Sequence, residues 1–146
     1  MKLKISTAVE QSHDKVWDGF NEKLFVKLSP PFPKVSLKKF DGCKTGDTVA
    51  LTLNFILFKQ QWVSKIISDE ASESHFEFVD VGVNLPFFIK KWKHRHRIEQ
   101  ANIGSVIIDD IEYSTGLKAT DIFLYPLFAL QFLYRKPVYK RVFKKA

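Results

Sequence analysis

His94 and His96 stand two residues apart, and Asp109 follows one short break later. A carboxylate beside an imidazole fixes its tautomer and raises its basicity, which is what acid–base chemistry needs. His96 and Asp109 are therefore the candidate catalytic residues. Alternate residues of a strand share a face, so His94 and His96 could also chelate a metal, with Asp109 as a third donor. His-x-His alone is a weak metal signal, and no metal or other cofactor is expected. A plainer alternative for His96 and Asp109 is a buried polar pair that satisfies itself and pins strand register. Hydrogen bonding to a ligand is a third alternative.

Those side chains meet only if two strands bring them together. Residues 92–100 and 105–113 alternate as strands, with Asn102-Ile103-Gly104 between them. A two-residue turn there predicts an antiparallel hairpin that faces Trp92 with Tyr113, His94 with Ile111, His96 with Asp109 and Ile98 with Ile107. On the other face, Lys93 meets Glu112 and Arg95 meets Asp110. Opposite charges fall across from each other on one face and mostly apolar residues on the other. A one-residue slip would set Trp92 against Glu112 instead. The basic residues thus belong to a solvated face, while the histidines and Asp109 turn inward.

The rest of the chain supplies the frame. Residues 2–10 alternate with Leu3, Ile5, Thr7 and Val9 on one side, a half-buried strand. Ser12 and Asn21 are candidate caps of two short helices, the first carrying Trp17 and Phe20, the second Leu24, Phe25 and Leu28. The prolines of residues 29–33 end the second. Further strands are expected at 35–40, 48–58, 61–68 and 75–83. A helix is expected from Asp121 to about Lys144, capped by Thr120, with Pro126 and Pro137 as kinks. On that helix Leu124, Phe128, Gln131, Arg135, Val138 and Val142 share an arc. Arg135 would then point a cation toward the sheet, for a ligand carboxylate, an interior Asp or simple snorkelling.

Composition narrows the classes. The 146 residues fit one domain, 1–146, with a sizeable core. A 45% hydrophobic and 27% charged balance excludes a disordered chain. The 14 phenylalanines can fill a core or line a cavity. Net charge is +7, which suits acidic partners or plain solubility. It is the only feature favouring nucleic acid, and no recognition motif accompanies it, so none is expected as a partner. Cys43, the single cysteine, excludes an intrachain disulfide and has no base or metal partner in its polar turn. The string Gly42-Cys43-Lys44-Thr45-Gly46 lacks the order of a phosphate loop and precedes a strand, so that reading is rejected. No apolar signal core or membrane-length run is present, and a cytoplasmic location is expected. Residues 85–89, Leu-Pro-Phe-Phe-Ile, are followed by Lys90 and Lys91. Phe87 and Phe88 could touch an anionic membrane transiently, or fold over a cavity as a lid.

The order strand, two short helices, six strands and one long helix resembles the START-like helix-grip superfamily, the polyketide cyclase/dehydrase and lipid-transport group also called SRPBCC. The resemblance covers the whole chain. Trp92-Lys93-His94-Arg95-His96, Asp109 to Tyr113, and Phe132-Leu133-Tyr134-Arg135 are similar to strand and helix motifs of its bacterial cell-division-inhibitor-like subgroup. Val83-Asn84-Leu85-Pro86 departs from the Gly-Pro turn of that pattern. The resemblance implies an α+β fold in which a curved seven-stranded antiparallel sheet wraps a long C-terminal helix, with a hydrophobic cavity between them. It implies a small lipid-, polyketide- or aromatic-type ligand as partner. Trp92, His94, His96, Asp109, Ile111 and Tyr113 would form one wall and Leu124, Phe128, Gln131 and Arg135 the other. Two alternatives stay open: a cyclase/dehydratase-type enzyme using His96 and Asp109, and a protein-interaction module with a filled core. The sequence does not set the oligomeric state.

Overall fold

The computed structural model describes residues 1–146. Strand β1 (Lys2–Val9) is followed by two short helices, α1 (His13–Asp18) and α2 (Glu22–Lys27). Six strands come next: β2 (Lys34–Phe40), β3 (Thr48–Asn54), β4 (Lys59–Ala71), β5 (His75–Asn84), β6 (Lys91–Gln100) and β7 (Ser105–Ser114). Helix α3 (Lys118–Val142) closes the chain. The strands form one antiparallel sheet in the order β1-β7-β6-β5-β4-β3-β2. This is the α+β helix-grip architecture, with the expected strand count and helix placement.

Alternation decides what faces inward. In β1, Leu3, Ile5, Thr7 and Val9 are buried and the residues between them are exposed. In β3, Val49, Leu51 and Leu53 are buried the same way. Asn21 caps α2 by accepting from the Leu24 amide at 3.1 Å, whereas the Ser12 side chain makes no capping bond. The β6–β7 hairpin has the expected register throughout, with Trp92 opposite Tyr113, His96 opposite Asp109 and Arg95 opposite Asp110. Gly104 takes φ +70° in its turn, and a Cβ there would collide with the Val9 carbonyl.

Helix α3 lies over β1 and β7. Phe128 and Phe132 pack there with Leu3, Ile5, Trp92, Ile111 and Tyr113. Nearer its C-terminus, Val138, Tyr139 and Phe143 pack with Val9, Val16, Leu24, Ile98 and Ile107. The inner face of β3 forms a separate cluster of Val49, Leu51 and Leu53 that the helix does not cover. That gap between the β2–β4 arm and α3 is the origin of the cavity described below. No helix is long and apolar enough to cross a membrane.

Three boundaries differ from expectation, one being β4, which runs on to Ala71 past its expected end at residue 68. Strand β3 stops at Asn54, and residues 55–58 make the turn, with Ile56 at φ +76°. An unbroken apolar run there reads as strand, yet it forms a tip, because Asn54 accepts from the Ile56 amide and starts the turn. Helix α3 begins at Lys118, before Thr120. Asp121 faces backward and accepts from the Thr115 amide and hydroxyl, so it ties the preceding loop to the helix instead of following a Thr120 cap. Pro126 and Pro137 both lie inside α3.

Candidate functional site

At the centre of the sheet, β5, β6 and β7 bring four polar side chains together on the inner face. His94 and Asp109 are buried, and His96 is largely so. His94 Nε2 lies 2.8 Å from Asp109 Oδ1, and His96 Nε2 lies 2.7 Å from Asp80 Oδ2. The expected His96–Asp109 hydrogen bond is therefore not made. The two residues are opposed in register, but the nearest His96 nitrogen is 3.9 Å from Asp109 Oδ1. Asp109 binds the diagonal neighbour His94, and His96 turns to Asp80 on the adjacent strand. The imidazoles overlap with centroids 3.5 Å apart, and His96 stacks on Phe78.

Asp80 is the residue that the sequence reading missed. It alternates with Phe76 and Phe78 in β5 and sits directly opposite His94. An acid in phase with two apolar neighbours marks an inward carboxylate, and pairing β5 with β6 as well as β6 with β7 would have found it.

Arg135 reaches in from α3 as expected, with Nη1 3.4 Å from Asp109 Oδ1 and its guanidinium over the Phe132 ring. Burial alone would raise both carboxyls. At Asp109 the His94 hydrogen bond, followed by the Arg135 charge, outweighs burial and leaves the group below its ordinary value. At Asp80 the His96 hydrogen bond does the same, with a smaller contribution from Ser64. Ser64 in turn accepts from the Trp62 indole at 3.1 Å. Burial, then the neighbouring His94, pushes His96 down to about 4, despite Asp80 and Asp109.

This cluster forms the polar floor of an internal cavity of about 370 Å³, in which 22 of the 33 lining residues are hydrophobic. Asp80, His94, His96, Gln131 and Arg135 face it, with Trp92, Leu124 and Phe128 among the apolar lining. Asp109, Ile111 and Tyr113, expected in the wall, lie outside the lining. Asp109 sits behind His94, Ile111 is in the core, and the Tyr113 hydroxyl donates to the Asp121 carbonyl at 2.6 Å. Helix α3 packs over β1 and β7, so the inner face of β7 is covered while β5 and β6 stay open to the cavity. The lining also includes the β3 face, Phe20, Phe25, Cys43 and Tyr139. The Tyr139 hydroxyl is buried with no hydrogen-bond partner within the protein. The donor atoms of Asp80, His94 and His96 lie within 4.8 Å of one another, so these three could hold a metal, with Asp80 in the place expected of Asp109.

Phe87 and Phe88 divide. Phe88 and Ile89 line the cavity, whereas Phe87 is 68% exposed. Phe87 packs beside Phe58 at the β3–β4 tip, where Leu57 is 92% exposed.

No family model matches the chain, and no curated protein is similar to it in sequence. Solved structures do resemble it. The di-domain ARO/CYC protein StfQ of the steffimycin biosynthetic pathway matches with a TM-score of 0.69 and 8% identity. That match covers 96% of this chain and 50% of StfQ, so the chain spans half the length of that protein. Norcoclaurine synthase from Thalictrum flavum, solved with dopamine and hydroxybenzaldehyde, gives 0.62 and 18% identity, covering 94% of this chain and 86% of that one. Major latex-like protein 151 from Panax ginseng gives 0.58 and 14%, covering 92% and 97%. At these identities the likeness is one of fold, and the chain has the helix-grip fold of these proteins.

Proposed function

We propose that the protein binds a small hydrophobic or amphipathic molecule, of lipid, polyketide or aromatic type, between the sheet and α3. The observation that carries this reading is the cavity itself: apolar walls around one polar floor. Apolar lining supplies affinity, and a few fixed polar groups supply orientation. Asp80, His96, Gln131 and Arg135 are the groups that would meet a ligand's polar end. An open cavity disfavours the filled-core interaction module. The solved neighbours support the reading, since one of them is held with two small aromatic compounds. Kinship with the cell-division-inhibitor-like subgroup rests on the sequence of residues 92–96, 109–113 and 132–135 alone.

The acid–base reading is weaker. A histidine near 4 is neutral at pH 7 and accepts a hydrogen bond, but it is a feeble base and a scarce acid there. Binding is the better use of His96. The test is fluorescence titration with 1-anilinonaphthalene-8-sulfonate. Leu51→Trp, which fills the space beside the uncovered β3 face, should weaken probe binding about ten-fold while leaving the fold intact. Equal binding by the filled variant would overturn the reading.

The ligand's route belongs to the same proposal. The cavity opens where α3 leaves the β2–β4 arm, near Phe55, Phe88 and Leu127. Around that end Phe32, Ile56, Leu57, Phe58 and Phe87 are exposed, with exposed Lys34, Lys59, Lys90, Lys91 and Lys118 beside them. Residues 29–36, 54–62, 83–93 and 115–120 contain no carboxylate. Apolar tips among unopposed cations suit an anionic bilayer as the occupant.

A further inference from the structure

We propose that Asp80, His94 and His96 form a binding site for a divalent transition-metal ion of the zinc class, open toward the cavity. The donors are His94 Nδ1, His96 Nε2 and Asp80 Oδ2. His96 Nε2 is 2.7 Å and His94 Nδ1 3.9 Å from Asp80 Oδ2, and all three fall within 4.8 Å of one another. Tetrahedral ligands at ordinary Zn–N and Zn–O lengths are separated by about 3.4 Å, inside the range these atoms already span. The imidazoles are stacked, so the rings would turn to aim both donor nitrogens at one ion.

The surroundings prepare the donors. Asp109 accepts at His94 Nε2, so that nitrogen carries the hydrogen and Nδ1 presents its lone pair toward Asp80. A carboxylate behind a histidine is the usual outer partner of a metal-bound imidazole. Arg135 holds Asp109 in turn. For His96 to release Nε2, its hydrogen must sit on Nδ1. That atom lies 3.9 Å from the same Asp109 oxygen, beyond hydrogen-bond reach until the ring turns, and Asp109 is the carboxylate nearest to it. All three donors stand on paired central strands, β5 and β6, which fixes their spacing.

Charge and donor type select the ion. Asp80 and Asp109 are two buried carboxylates against one guanidinium, a local deficit that a divalent cation offsets. Two imidazoles and one carboxylate suit zinc, cobalt or iron(II) rather than magnesium or calcium, which prefer all-oxygen shells. Asp80, His94 and His96 all line the cavity, so the fourth position faces it. Water or a ligand's oxygen would take that position.

The experiment is calorimetry of untagged, EDTA-stripped full-length protein with Zn²⁺ alone, followed by the visible spectrum of the Co²⁺ form. One equivalent should bind, and Co²⁺ should give the intense visible bands of a low-coordinate site. Asp109→Asn should weaken binding about 10- to 100-fold, and Asp80→Asn or His96→Gln should weaken it further. His75→Gln, at the half-buried histidine beside exposed Glu70, should change nothing. Wild-type binding weaker than about 10 μM, or binding lost with His75 and kept without Asp80, would overturn the site. Should the ligand variants fail to fold, X-ray absorption on wild-type Zn²⁺ protein decides: two imidazoles and an oxygen support the site, and any other imidazole count sinks it. The site stands whether or not the organic probe binds, so the two readings fail separately.

Discussion

Asp109 is the residue on which the interior turns, because it is nearly inaccessible yet touches both His94 and Arg135. Truncating it strands an imidazole and a guanidinium in apolar surroundings. Asp109→Ala should therefore cost about 3–5 kcal/mol in urea denaturation, the range for breaking a buried charged pair. A cost below about 1 kcal/mol would show that the network is not holding the sheet centre. At this scale the sequence was legible in facing, not in bonding. Alternation put His94, His96 and Asp109 inward and helical spacing brought Arg135 to them. Which imidazole took which carboxylate depended on ring direction and on Asp80, a partner from a strand that the two-strand reading left out.

Among the elements, β6 and β7 were the most legible, since opposite charges on one face and apolar residues on the other allow a single register. The β3–β4 turn was the least legible. Apolar residues usually mark buried strand, yet residues 55–58 make a turn whose tip, 56–58, is exposed. A β-branched residue at positive φ is strained, which is uncommon away from sites that use it. Ile56→Asn should relieve that strain and stabilise the fold by about 1 kcal/mol, or roughly 3 °C in Tm. Thermal unfolding would show it, and an unchanged or lower Tm would mean that Ile56 packs more than its exposure suggests. The start of α3 was misread for a related reason: Asp121 serves the loop behind it, an arrangement that one-directional capping rules do not anticipate.

The whole molecule has two unlike ends. The open end carries apolar tips and lysines without carboxylates beside them, while at the other end acids and bases mix: Glu10 accepts from the Lys145 amide, Asp41 pairs with Lys39, and Lys144 and Lys145 stand exposed. Net charge alone concealed this, because the +7 is an average over both ends. Topology separates them: each antiparallel turn sends its residues to one end or the other. Sedimentation with vesicles of phosphatidylcholine and phosphatidylglycerol should capture the protein at low salt, and pure phosphatidylcholine should not. High salt should release it as exposed charges are screened. Leu57→Ser with Phe87→Ser should weaken capture about ten-fold. Equal capture by neutral vesicles would remove the lysines from the account, and no capture at all would remove the membrane.

Cys43 gives the cavity a chemical temperament. Its thiol borders the space near the Phe20 carbonyl, and burial, with Asp47 and Asp80 nearby, pushes it up to about 12. The thiolate is the nucleophile, and at neutral pH its population falls about three orders of magnitude below that of a free cysteine. An electrophilic guest, such as an enone or a quinone, would therefore meet an unreactive sulfur and leave the pocket without being captured covalently.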